Sequence, residues 1–173
     1  AGSGSYYGAL YITTDHYSTT GVTIEISEED YLFGVSVLYL SASSVRIYGC
    51  GINGVYLSVD CSSSTPCTGS TSVTPSYLTS ANQMNAMATH TSGYALQVGE
   101  GPTIAYLNSA ASCTIGSSCT FTEQSSLPSN SGETLYGVAF ANDALACAVG
   151  EGGITWKGVR SGSSWTWTDV ADA

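Results

Sequence analysis

CAVGEGGITW, Cys147 to Trp156, decides the fold. Gly150, Gly152 and Gly153 read either as a phosphate-cradling loop or as a tight turn between two strands. A phosphate loop needs a helix behind it, whose N-terminal N–H groups face the anion. No helical period follows Gly153, and Glu151 would repel a phosphate. The stretch therefore reads as strand, turn, strand, with glycines where the backbone needs positive φ.

Two other segments have the same form. YGCGINGVYLS (Tyr48–Ser58) and VGEGPTIAYLN (Val98–Asn108) align with VGEGGITWKG (Val149–Gly158) when Gly49, Gly99 and Gly150 are matched. The spacing is about 50 residues, within the range of propeller and solenoid repeats. Upstream, LFGVSV (Leu32–Val37), MNAMAT (Met84–Thr89) and LYGVAF (Leu135–Phe140) correspond. Each repeat reads as four short strands separated by turn residues. In the first repeat they are LFGVSVLYL, SVRIYG, GVYLSVD and STSVTP. In the second they are MNAMAT, YALQVG, TIAYLNS and TFTEQ. In the third they are LYGVAF, LACAVG, GITWKGV and SWTWTDV. GALYITTDHYSTTGVTIEIS (Gly8–Ser27) resembles strands three and four alone. The expected layout is one domain over 1–173: a half-repeat at 1–30 and repeats at 31–76, 77–127 and 128–173.

Composition agrees with an all-β chain and essentially no helix. The 173 residues are 43% hydrophobic and only 9% charged. Ser, Thr, Gly and Tyr supply the polarity, and β-branched and aromatic residues favour strands. Three Lys and Arg stand against 13 Asp and Glu, for a net charge of −10. With no basic patch, nucleic acid and anionic membranes are poor partners. So few bases leave salt bridges little part in organising the fold. No apolar run is long enough for a membrane-spanning helix.

The six cysteines lack zinc-site spacing and read as a disulfide framework in an oxidising compartment. Cys61/Cys67 and Cys113/Cys119 share one spacing and pair locally. The expected location is extracellular or at the cell surface, with any signal segment already removed.

Leu135–Val170, with its LYGVAF, AVGEGGI and TW elements, resembles a blade of the BNR or photosystem-assembly-factor type of β-propeller. The resemblance implies a small propeller-like array of four-stranded antiparallel blades, about three and a half in number. It also implies an Asp-box in the hairpin between strands three and four. Here the box is degenerate: Ser58-Val59-Asp60 keeps its start, and Cys61 follows.

Three and a half blades do not close a ring comfortably, and an unfinished blade exposes strand edges. The ring could close on an incomplete fourth blade, the repeats could form a sandwich, or another subunit could complete the array by strand addition. Cys50 and Cys147 lie in different repeats and lack local partners. A Cys50–Cys147 bond between chains would build an open, head-to-tail assembly. A bond within the chain, or a buried free thiol at Cys147, is the plainer reading.

No catalytic set stands out. His16 and His90 belong to no triad, and a sialidase-like site needs more arginines than Arg46 and Arg160. Glu100 and Glu151 repeat in one turn and are candidate Ca²⁺ ligands, as are Glu28, Glu29 and Asp30. The plainer reading is solvated carboxylates, with no cofactor. Trp156, Trp165 and Trp167 are candidates for stacking on a glycan or for packing between blades. The expectation is therefore a secreted, non-enzymatic structural protein whose partners are copies of itself in a filament or surface layer. A monomeric, lectin-like glycan-binding module is the alternative.

Overall fold

A computed structural model describes residues 9–13, 21–25, 31–62, 71–72, 75–108, 119–128 and 132–170. They form strands and turns, with only single 3₁₀ turns such as Ile52–Gly54 and Glu151–Gly153 for helix. Three four-stranded antiparallel sheets follow the three repeats. Sheet 1 contains β3 (Leu32–Ser41), β4 (Ser44–Gly51), β5 (Val55–Ser62) and β7 (Ser76–Tyr77). Sheet 2 contains β8 (Met84–Thr89), β9 (Ala95–Gly99), β10 (Thr103–Leu107) and β11 (Thr122–Glu123). Sheet 3 contains β12 (Leu135–Phe140), β13 (Leu145–Gly150), β14 (Thr155–Ser161) and β15 (Ser164–Asp169).

The half-repeat forms a hairpin of β1 (Ala9–Thr13) and β2 (Gly21–Glu25). Its third strand comes from further along the chain. β6 (Thr71–Ser72) pairs in parallel with Ile24 and Glu25 of β2. The fourth strand of repeat one is therefore β7 and not STSVTP, because Ser76 and Tyr77 take the positions opposite Tyr56 and Val55.

The same irregularity marks the start of every repeat. β3, β8 and β12 each carry a β-bulge, between Leu32/Gly34, Met84/Ala86 and Leu135/Gly137. The residues opposite Leu32, Met84 and Leu135 are Gly51, Gly99 and Gly150. A Cβ at these three glycines would lie 1.8, 1.9 and 2.3 Å from the carbonyl oxygens of Tyr31, Gln83 and Thr134, so only glycine fits. This corrects the alignment: Gly51, not Gly49, is the partner of Gly99 and Gly150. Cys50 thus matches Val98 and Val149, and Tyr48 matches Leu96 and Cys147. The turn at the heart of CAVGEGGITW has positive φ at Gly152 (65°) and Gly153 (86°), and the turn in repeat one has it at Asn53 (55°) and Gly54 (70°).

The sheets stack in chain order. β3 packs on β8, and β8 and β9 pack on β12. One core joins sheets 1 and 2, with Leu38, Tyr48, Cys50 and Tyr56 against Met84, Met87, Ala105 and Phe121. A second joins sheets 2 and 3, with Leu96, Val98 and Ile104 against Leu135, Ala148, Trp156, Trp165 and Trp167. Sheet 2 is covered on both faces, so β9 is buried along its whole length. β15 in an outer sheet keeps the exposed–buried alternation of a half-solvated strand. Among the described residues the stack is open and does not close a ring.

Candidate functional site

Among the described residues two surfaces carry exposed apolar side chains. On β3, alternate side chains point to one face of sheet 1, as strand geometry requires. Phe33, Val35, Val37 and Tyr39 form that row, and they are 52, 55, 45 and 70% exposed. β3 is also the edge of its sheet. Its edge is partly capped, because the Thr89 hydroxyl donates to the Val37 carbonyl (2.9 Å). The open feature is thus the face of the strand more than its backbone edge. Farther along the same face Ile47, Leu57 and Val59 are buried. A run of half-exposed apolar side chains on a long edge strand is the usual mark of a contact surface.

The second surface is the outer face of sheet 3. Here Cys147 and Val149 on β13 lie beside Ala139 on β12 and Lys157 and Val159 on β14. Val149 and Val159 are 44 and 40% exposed, and Cys147 is an exposed free thiol.

Cys50 behaves in the opposite way. It is free and fully buried, with its sulfur 3.8 Å from the Met84 carbonyl. Burial pushes its thiol up to about 12, against a smaller opposing effect from the Gly34 backbone. The buried thiol is Cys50 and Cys147 is the accessible one, so a Cys50–Cys147 bond between chains would require Cys50 to be uncovered. Cys61 and Cys119 are disulfide-bonded. Cys67 and Cys113, their expected partners, lie outside the described residues.

The tryptophans do not form a glycan platform. Trp156, Trp165 and Trp167 are 0, 3 and 5% exposed. Trp165 and Trp167 stack with ring centroids 5.9 Å apart, inside the core between sheets 2 and 3. They point to the same face, and that face is covered.

Glu100 and Glu151 are exposed turn residues. Among the described residues no three His, Cys, Asp or Glu side chains converge as a metal site. Glu28, Glu29, Asp30 and His16 lie outside the described residues. His90 is held in a turn, where its Nδ1 accepts from the Ser92 backbone N–H (3.2 Å) and its ring packs near Tyr94 and Phe140. Both arginines have structural partners. Arg160 lies over the Tyr94 ring at 3.9 Å and donates to the Asp143 and Gly162 carbonyls. Arg46 is buried between sheets 1 and 2 and makes two bonds to the Asp60 carboxylate on the neighbouring strand. That pairing raises the pKa of Arg46 against the opposing effect of burial. Asp60 of the degenerate Asp-box thus anchors the one basic side chain in the core. No helix among the described residues is long and apolar enough to cross a membrane.

No family model matches the chain, and no curated protein matches it.

Proposed function

We propose that this chain is a non-enzymatic structural subunit that associates with copies of itself in an extracellular filament or surface layer. The observation that carries this reading is the β3 row, Phe33, Val35, Val37 and Tyr39, left half exposed on the edge of a sheet. A soluble monomer gains nothing by leaving such a row in water, and burying it against another subunit is favourable. The half-repeat supports the same reading. Its described strands make a three-stranded sheet, β1, β2 and β6, where each full repeat makes four. The cysteine spacing and low charge suit a long-lived material in an oxidising environment. Leu135–Val170 resembles a propeller blade, and the reading takes the stacked four-stranded sheets as its support for that likeness. Because Cys50 is buried, the reading rests on packing contacts and not on a Cys50–Cys147 bond.

Sedimentation and negative-stain imaging of the purified chain test the reading. The expected outcome is a concentration-dependent assembly. A monomer at every concentration and salt condition would overturn it.

A further inference from the structure

A groove of about 400 Å³ opens at the end of sheet 2 that carries the β9–β10 turn. Its volume lies in the range of small-molecule sites, roughly 300–1,000 Å³. Three segments line it: Ser80 and Asn82 before β8, the turn itself at Gly101 to Thr103, and β11 with the residues after it. The Ser80 backbone N–H donates to Glu123 Oε1 (2.9 Å), which ties the first segment to the third. The Gln124 backbone N–H donates to the Ile104 carbonyl (2.8 Å), which ties the third to β10. Gly101 has a φ of 69°, and a Cβ there would lie 3.1 Å from Asn82 Nδ2, so the glycine makes room for that amide. The walls are therefore held in place before any ligand arrives.

The hydrogen bonds along these walls use up donors and leave acceptors. Thr103 Oγ1 donates to the Glu100 carbonyl (2.7 Å), so toward Asn82 it acts as an acceptor, with Nδ2 at 2.7 Å. That fixes the Asn82 amide and leaves its Oδ1 uncommitted. Gln124 Nε2 donates to the Ser126 carbonyl (3.2 Å), which fixes that amide in the same way and leaves Oε1. Glu123 keeps Oε2. Among the described residues none of these three oxygens has a hydrogen-bond partner in the protein. The Ser80 and Ser125 hydroxyls are exposed in the same lining, and a hydroxyl both donates and accepts.

We infer that this groove binds a neutral saccharide. A sugar ring presents hydroxyl donors at several points, which the three acceptors require. It also presents apolar C–H faces, which Pro102, Leu127 and Pro128 cover. Glu123 is the one ionisable residue in the lining, and its charge strengthens the bond it accepts. The same carboxylate disfavours an anion, because no base in the lining offsets it. One carboxylate is also too little charge for a divalent cation, which takes about six to eight oxygens. A lone ammonium group would satisfy Glu123 and leave most of the groove unfilled. The site is separate from the tryptophans, which lie in the core between sheets 2 and 3, and it does not depend on self-association.

Titration calorimetry with glucose, galactose, mannose and N-acetylglucosamine tests this, with methylammonium chloride as the amine control. The expected outcome is saturable binding of at least one sugar and none of methylammonium. Glu123→Gln keeps the length of the side chain and an oxygen for the Ser80 N–H, and it removes the charge. It is expected to weaken sugar binding by about tenfold or more, the usual loss when a charge-assisted hydrogen bond becomes a neutral one. Ser125→Trp, at an exposed position, is expected to abolish binding by filling the groove, and it serves if Glu123→Gln does not fold. The urea midpoint of each variant shows that it is folded. The inference is overturned if no sugar binds, if methylammonium binds in place of the sugars, or if the folded variants bind sugar as the wild type does. The heat of binding is read on monomer and assembly alike, so none of these outcomes bears on self-association.

Discussion

Gly158 lies beneath the indole of Trp167, the residue opposite it on β15. A Cβ at position 158 would stand 2.8 Å from two ring carbons of that indole. The ring is fixed between sheets 2 and 3 beside Trp165 and cannot swing clear. Gly158→Ala should therefore destabilise the protein by about 1–3 kcal/mol, the usual cost of overpacking. That outweighs the roughly 0.5–1 kcal/mol that alanine gains over glycine in a strand. The midpoint of urea unfolding checks the sign.

Arg46 and Asp60 form an ion pair with little access to water. Removing one partner leaves the other charge without compensation. Arg46→Ala should cost about 3–5 kcal/mol. Changing both residues to apolar side chains of similar size should cost much less than the sum of the single changes. A double-mutant cycle in denaturant measures the difference, and additive single effects would contradict the pairing.

Cys50 gives the fold a dependence on alkaline pH. Its pKa in the folded chain, about 12, is raised above the ordinary 9.0. Both states hold the proton below pH 9, so this contribution to stability is fully present there. As the pH climbs from 9 toward about 12, the unfolded chain releases its proton first and the contribution is lost. Burial raises the Tyr48 phenol too and acts in the same direction. Unfolding midpoints should fall over this range, with a shallower fall in Cys50→Ala. In the same protein Cys147 should react with maleimide before unfolding and Cys50 only after it.

Gln97 is fully buried, and neither its amide nitrogen nor its amide oxygen has a hydrogen-bond partner. A buried polar group in that state costs about 1–3 kcal/mol. Gln97→Met keeps the length of the side chain and removes the polar atoms. It should raise stability by about 1 kcal/mol, read from the thermal or denaturant midpoint. A loss of stability would show that the amide is satisfied in the native protein.

Strands one to three of each repeat are legible in the sequence, because alternating β-branched and aromatic runs end in glycine turns. The fourth strand of repeat one is not. Ser76–Tyr77 pairs over two residues, too few to show a period, while Thr71–Ser72 finds its partner in a distant hairpin. The glycine register in YGCG is ambiguous by two positions, and only the approach of the Tyr31 carbonyl to Gly51 resolves it. The shift is even, so the facing of each side chain survives and only its equivalents change. For the site, alternation shows that Phe33, Val35, Val37 and Tyr39 share a face, but not whether a neighbour covers it. The tryptophans illustrate the converse: shared facing is readable, burial is not. Scarcity of bases suggests no role for ion pairs, yet a single pair suffices when it lies at a core boundary.

The parallel pairing of β6 with β2 has a consequence for synthesis. The β1–β2 hairpin is complete once Glu25 has emerged, but its third strand is not available until Ser72 follows. A two-stranded hairpin is at best marginally stable alone in water. The start of the chain therefore waits, incompletely paired, while sheet 1 is made behind it. Residues 71–72 complete that sheet only after β3, β4 and β5 have been made.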